Sequence, residues 1–386
     1  MKILLAPDSF KESLSAIAVA DALEQGIRRV MPDAHCIKVP MADGGEGTVS
    51  ALLAATEGKR FRKTVMGPLG DPVIASYGMF GDGKTAVIEM AAACGLHLVP
   101  QHLRNPLRTT SYGTGELIKA ALDRGAQKII IGVGGSSTND CGAGMAQALG
   151  VKIMGRDGSF LRPGLAGGDL RKVSDIDRIE PTARLAGVEI SIACDVENYL
   201  VGRNGASHIY GPQKGASSEQ VRTLDRNLRH FAQIIERDLG INVLRLKGAG
   251  AGGGMAAGLA AFTNGRLRSG IELVIETADL EQRLDGIDVV ITGEGRIDAQ
   301  TAFGKVAAGV AALAGRKGIP VVALGGSLAP DAHRVFASGI DALESTIVRD
   351  MSLSEAMGSA RRNIREAGER IAKWLLLAEK LSRRSD

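Results

Sequence analysis

The sequence predicts a two-domain α/β protein: both chain ends feed strands into one doubly wound parallel sheet, and the middle forms an inserted second α/β domain with a mixed sheet. Three observations predict this. The chain has 386 residues, beyond the ~250 to 300 at which a single hydrophobic core stops growing. Its N-terminal and C-terminal thirds each show β-α units but only two or three strands, too few for separate sheets. From about Arg60 the period between them changes to strict alternation. The 51 glycines, without a G-X-Y repeat, supply tight loops at strand ends.

In chain order, Ile3 to Ala6 is a short strand, Pro7 to Ser13 a polar loop, and Ala16 to Val30 an amphipathic helix capped near Ser15. Cys36 to Val39 repeats the strand, Pro40 to Gly47 the loop, and Thr48 to Thr56 the helix. Two such units in succession imply parallel strands with their functional loops at the carboxyl ends. Arg62 to Met66, Val73 to Phe80 and Thr85 to Met90 alternate between glycine-containing turns and read as an antiparallel meander. A helix over Gly115 to Asp123, a buried strand before Gly134, a strand at Val188 to Ala193 and a long helix over Ser217 to Leu239 follow. Residues 155 to 187 carry no clear period. The parallel pattern returns with strands at Val289 to Thr292, Pro320 to Leu324 and Ala342 to Ile347, a helix over Ala302 to Ala314 and a last helix from Ser354. The domains are therefore 1–60 with 283–386, and 61–282, with the active site expected in the cleft between them.

In a doubly wound sheet, ligands sit beyond the carboxyl ends of the strands. That rule gathers Asp8, Ser9, Lys11, Asp43, Glu46, Glu294, Arg296, Asp298 and Ser327 on one rim. Asp288 precedes its strand and, at ~3.3 Å per residue, belongs roughly 15 Å from that rim.

Composition removes several classes. The net charge is +4 but aromatics make up only 3%, leaving few platforms for stacked bases, and the basic residues of the last helix read as a solvated face. No nucleic-acid partner is expected. Cys36, Cys94, Cys141 and Cys194 form no C-x-x-C pair, so reduced thiols rather than a zinc site are expected. Pro7 and Asp8 cut the apolar N-terminal run too short for a signal-peptide core, and no apolar stretch approaches ~20 residues. A cytoplasmic protein without membrane contact follows as the expectation, and a homo-oligomer is compatible with it.

The most phosphate-like stretch is Lys128 to Met145. A buried strand empties into Gly134, Gly135, Ser136, Ser137 and Thr138, whose N–H and hydroxyl donors suit an anion, and Ala143 to Leu149 follows as a helix whose N-terminus favours negative charge. A glycine-rich turn with no ligand is the alternative. Gly252, Gly253 and Gly254 form a second candidate cradle. Two literal motifs need a different reading. Gly78 to Thr85 satisfies G-x-x-x-x-G-K-[ST], but alternation runs through Met79 and resumes at Ala86, so it is a hairpin and not a P-loop. Gly248 to Gly253 contains G-x-G-x-x-G with Glu276 following, which keeps a nicotinamide-dependent oxidoreductase of a 2-hydroxy acid open. The strand it needs is only Val243 to Leu246, interrupted by Arg245.

The acidic loops Met41 to Gly47 and Thr292 to Asp298 place carboxylates between glycines just after apolar strands. Such carboxylates suit Mg²⁺, which takes one or two of them plus substrate phosphates. For Asp298, ordinary helix capping serves equally well.

Six stretches carry a resemblance: Ala6 to Lys11, Ala42 to Thr48, Gly132 to Asp140, Cys194 to Asn198, Gly211 to Ala216 and Ile291 to Thr301. Together, in this order and over nearly the whole chain, they resemble the bacterial class I glycerate kinases. The resemblance implies a flavodoxin-like domain interrupted by a second α/β domain, and ATP- and Mg²⁺-dependent phosphorylation of D-glycerate, most often on the 2-hydroxyl. Tyr199 stands where a proline is expected, as do Val306 and Ala307 after Gly304 and Lys305; both departures concern loop stiffness. Under this reading Asp8, Lys11, Asp43, Asp195 and Arg296 are the catalytic candidates. Lys11 and Arg296 face the glycerate carboxylate or the transferring phosphoryl. The two glycine-rich stretches bind ATP, and Glu46, Glu294 and Asp298 are the metal candidates. A non-catalytic sensor of glycerate or nucleotide is the remaining alternative.

Overall fold

The computed structural model describes residues 1–45, 47–177, 185–302 and 306–384. Its strands, in chain order, are β1 (Lys2–Pro7), β2 (His35–Lys38), β3 (Lys59–Met66), β4 (Pro72–Met79), β5 (Thr85–Glu89), β6 (Lys128–Gly132), β7 (Lys152–Gly155), β8 (Val173–Asp177), β9 (Glu189–Ala193), β10 (Arg266–Arg268), β11 (Val289–Ile297), β12 (Val321–Leu328) and β13 (Ala342–Ser345). The chain divides into two compact units, one of Met1–Asp43, Ser50–Ala55 and Ile271–Asp386, the other of Gly44–Val49 and Thr56–Gly270. The sequence put the later border after residue 282. It falls earlier because Glu272 to Ile275 lies in a helix, Gly270–Thr277, whose Ile271 packs on Gly309 of the first unit.

In the first unit the strand order is β13-β12-β11-β1-β2, every neighbouring pair parallel. Counted along this unit, that is the flavodoxin-like order 2-1-3-4-5, whose direction of winding reverses between β1 and β11. Ile3, Leu4, Leu5 and Ala6 are all buried, as a parallel strand covered on both faces requires. The helix Ala16–Val30 starts where Ser15 Oγ accepts from the Ala18 N–H at 3.3 Å. It crosses the helix Ala360–Ser382 so closely that a Cβ on Gly26 would lie 2.0 Å from the Arg365 carbonyl oxygen. Ile3, Leu5, Leu23, Ile27, Ile291, Ile364 and Ile371 meet in the core beneath that crossing.

The second unit carries a mixed six-stranded sheet, β10-β9-β6-β5-β4-β3. β3, β4 and β5 are antiparallel, as the alternation predicts, while β5, β6, β9 and β10 run parallel. The long helix is Ser218–Leu239, held by a capping box between Ser217 and Gln220. The stretch without a period contains β8, which pairs antiparallel with β7 just ahead of that stretch and whose five side chains mix buried and exposed positions too irregularly to show alternation.

Several expectations need correction. β11 does not end at Thr292 but runs to Ile297, because β12 also extends, to Leu328, and pairs with it through Glu294↔Gly325 and Arg296↔Ser327. The expected helix over Ala302 to Ala314 is Val306–Arg316, with Gly304 and Lys305 outside the described residues. Val243–Arg245 forms a 3₁₀ turn, not a strand. Among the described residues no helix is long and apolar enough to cross a membrane.

Candidate active site

The first unit collects its carboxylates where the sheet reverses direction. β1 and β11 are in register through Pro7↔Gly293, and the Asp8 N–H donates to the Gly293 carbonyl at 2.8 Å. Asp8 is buried to 6% exposure, and its Oδ1 accepts from the Ser9 N–H at 2.6 Å. Burial first, and then the negative charge of Asp43, push the Asp8 carboxyl from the ordinary 3.8 up to about 7; Lys11 opposes the rise and Glu294 adds to it. Lys11 Nζ lies 3.9 Å from Asp43 Oδ2, with the lysine side chain 72% exposed. Asp8, Lys11, Asp43 and Glu294 thus form one electrostatic group on the predicted rim.

The strand extension changes how the second acidic stretch works. Glu294 and Arg296 sit on paired β-structure two residues apart, hence on one face of the strand, and a Cβ on Gly295 would lie 3.4 Å from Phe10 Cα. Arg296 is 68% exposed and stands 3.7 Å from Asp298 Oδ2. The other Asp298 oxygen accepts from the Gln300 N–H at 2.9 Å, which is the capping use of that residue. Asp288 accepts from the Lys2 N–H at 2.7 Å, at the opposite end of the strands, as expected. Glu46 lies outside the described residues.

In the second unit the stretch after β6 forms a pinned loop. Gly134 and Gly135 are exposed, while Ser136, Ser137 and Thr138 are buried. Ser137 Oγ donates to the Cys94 carbonyl at 2.9 Å, and Thr109 Oγ1 donates to the Ser137 carbonyl at 2.8 Å. Gly45 packs against Gly134, bringing part of the first acidic loop beside the cradle. The helix that follows is only Ala143–Ala148, and its first N–H groups are already used, Ala143 donating to the Asp140 carbonyl at 2.9 Å and Met145 to Ser111 Oγ at 3.0 Å. The Asp140 carboxylate accepts from the Gly142 N–H at 3.2 Å, and from the Ser111 N–H and hydroxyl at 2.9 and 2.7 Å. The helix N-terminus is therefore not the anion site the sequence suggested; an internal carboxylate fills it.

Gly252, Gly253 and Gly254, far away in sequence, pack on this same loop. All three have left-handed backbones, with φ of 64, 71 and 88°, and break the first turn of Ala251–Thr263. A Cβ on Gly253 would stand 2.0 Å from the Thr138 carbonyl oxygen, and the Cys141 N–H donates to the Gly253 carbonyl at 3.2 Å. Gly253 and Gly254 are buried, so they support the loop, and only Gly252 reaches the surface. No strand precedes these glycines, which removes the dinucleotide fingerprint. The P-loop match is the β4-β5 hairpin, with Asp82 accepting from the Lys84 and Thr85 N–H groups at 2.8 and 2.9 Å. Asp195 is exposed, and its Oδ1 accepts from Ser269 Oγ at 3.0 Å and the Gly270 N–H at 2.9 Å, at the start of the helix Gly270–Thr277.

Sequence reasoning missed two residues here. Asp140 closes the quoted motif but was given no role, and Lys214 lies inside Gly211 to Ala216, a motif quoted without a function. Lys214 is 3% exposed and donates to Ser136 Oγ and to the Thr138 carbonyl at 2.8 and 2.7 Å. A lysine enclosed by Gly-Pro and Gly was the signal available, because charge in a tight turn is ordinarily solvated.

For a cation, the hard oxygens of Asp43 and Glu294 near Asp8 are the right donors, and their mutual repulsion is what a divalent ion relieves. Among the described residues no group of three or more Asp, Glu, His or Cys stands ready to hold a metal unaided. A Mg²⁺ that brings phosphate oxygens as its other ligands fits such a set.

Residues 3–376 match the family model described as the glycerate kinase family. The chain is 52% identical over 377 residues to the glycerate 2-kinase of Escherichia coli, covering 98% of each. It is 50% identical over 370 residues to a glycerate kinase of Halalkalibacterium halodurans, covering 96% of this chain and 97% of that one. A crystal structure from Salmonella typhimurium, given as a candidate glycerate kinase 2, superposes with a TM-score of 0.88 at 48% identity, over 99% of this chain and all of that one. Matched along almost its whole length by the family model and by relatives about half identical to it, the chain belongs to the glycerate kinase family.

Proposed function

We propose that the protein transfers the γ-phosphoryl group of ATP to a hydroxyl of D-glycerate, giving 2-phosphoglycerate. The observation that carries the reading is Asp8: a buried carboxylate with its pKa raised to about 7, at the switch point of a doubly wound sheet. Phosphoryl transfer asks for positioning, charge neutralisation and a group to accept the hydroxyl proton. Asp8 is that acceptor: with its pKa raised to about 7 it divides between its ionised and protonated forms near neutral pH, and the ionised form is basic enough to take a proton. Asp43, another of the catalytic candidates, tunes Asp8 through its charge.

Lys11 and Arg296, exposed cations beside the carboxylates, hold the glycerate carboxylate and the transferring phosphoryl. Gly134, Gly135 and Ser136 cradle the ATP phosphates, with Ser137, Thr138 and Gly252 to Gly254 fixing the loop from below. Glu294 with Asp43 would hold a Mg²⁺, which when bound would neutralise phosphate charge; Glu46, the third carboxylate of the sequence reading, lies outside the described residues. Asp195 and Asp298 act through backbone they cap.

The test is direct. The purified protein with D-glycerate, ATP and Mg²⁺ should release ADP, and ³¹P NMR of the product should show the phosphate on the 2-position. A change in nicotinamide absorbance with no ADP, or binding of glycerate with no turnover, would overturn the reading.

A further inference from the structure

The cradle loop rests on a buried cation. Lys214 closes the 3₁₀ turn Pro212–Lys214, and its Nζ reaches the underside of the loop to donate to Ser136 Oγ and the Thr138 carbonyl. An ammonium has donors and no acceptor. At the 2.8 Å contact, therefore, Ser136 Oγ accepts, and its own proton points away from Lys214. Lys214 is the hydrogen-bond partner of Ser136 Oγ among the described residues. Ser137, the next hydroxyl, donates inward to the Cys94 carbonyl, and Thr138 Oγ1 is fully buried, so Ser136 is the hydroxyl next to the exposed Gly134 and Gly135.

Burying an ammonium is costly unless its hydrogen bonds and its charge are used. Burial pushes the Lys214 ammonium down to about 8, and the charge of Asp140, whose carboxylate is held by Ser111 and Gly142, opposes the fall. Asp140 spends its hydrogen bonds on backbone and serine, which leaves the ammonium's short contacts directed at the loop.

Resting on the reading of the loop as the ATP phosphate site, we propose that Lys214 is the positioning residue of that site: it orients the Ser136 hydroxyl as a donor to the triphosphate. Lys214 touches no phosphate itself. It acts through Ser136.

The experiment is a double-mutant cycle with Lys214→Met, Ser136→Ala and the pair, reading KM for ATP and KM for D-glycerate separately. Each single variant should raise KM for ATP by about tenfold, as loss of a charge-assisted donor does. KM for D-glycerate should stay within about twofold, and the pair should be no worse than the weaker single variant. Additive effects, equal rises in both KM values, or an unchanged KM for ATP would each overturn the proposal. Should Lys214→Met fail to fold, Ser136→Ala decides alone: a selective rise in KM for ATP supports it, and no rise overturns it. A wild-type protein that releases no ADP would instead sink the kinase reading, before any variant is made.

Discussion

The N–H of Asp8 donates to the carbonyl of Gly293, so the residue after the first strand and the residue before Glu294 are fastened by a single 2.8 Å hydrogen bond. That bond holds two carboxylates from opposite ends of the chain at one strand terminus. Their charges, with that of Asp43, make the local proton affinity a property of the group.

Replacing Asp8 by Asn should lower kcat by about 10³-fold, within the range for loss of a general base. In the wild type, kcat/KM should rise through about pH 7 as Asp8 loses its proton. Asp43→Asn removes a charge that raises the Asp8 pKa, and should move that limb to lower pH. Steady-state rates from pH 5 to 9 check both; a limb that stays in place in Asp43→Asn would refute the coupling.

Stability should carry the same signature. A folded pKa raised from 3.8 to about 7 means that the native state binds the proton more tightly than the unfolded chain. The contribution of Asp8 is then present below about pH 4 and lost as pH rises through about 7. Asp8→Asn, neutral throughout, should melt a few degrees above the wild type at pH 8 and level with it near pH 4. Thermal scans at the two pH values read the difference, and an equal offset at both would contradict it.

Lys84 sits in the β4-β5 hairpin, exposed, with Asp82 organising the turn. Lys84→Ala should leave kcat and both KM values within about twofold, since isolated surface changes cost little. A loss of two orders of magnitude would mean that the G-x-x-x-x-G-K-T match is functional after all.

Gly253→Ala should cost roughly 2 to 4 kcal/mol, combining a left-handed backbone with a backbone collision. The added Cβ meets the Thr138 carbonyl oxygen at 2.0 Å with nothing flexible to yield. Urea unfolding would measure it, and an unchanged midpoint would show that the two glycine-rich stretches separate more easily than their contact implies.

Much of this was legible because parallel strands buried on both faces leave continuous apolar runs, as at Ile3 to Ala6 and Ile129 to Ile131. The rim followed from topology: a residue one place beyond β1 has few places to go. What stayed hidden depended on partners far away in the chain. β11 extends past its glycines only because β12 lies alongside, and Arg296 therefore stands on a strand where the glycines suggested a loop. The occupied N-terminus of Ala143–Ala148 depends on Ser111 and Asp140 meeting, which no local spacing reveals. Lys214 was unreadable for a simpler reason: sequence rules send lysine to water, and here the loop's own oxygens take the place of water.

The packing of Gly26 against Arg365 has a consequence for how the molecule is made. A chain leaving the ribosome exposes β1 and its helix early, yet β11 and the helix that covers them arrive last. At synthesis rates of ~5 to 20 residues per second, the opening segment must wait on the order of tens of seconds for its neighbours. The second unit, Gly44–Val49 with Thr56–Gly270, is complete in the growing chain well before β11 and the last helix emerge. Newborn protein should therefore be most vulnerable to proteases and most dependent on chaperones at its N-terminus, where its proposed proton acceptor resides.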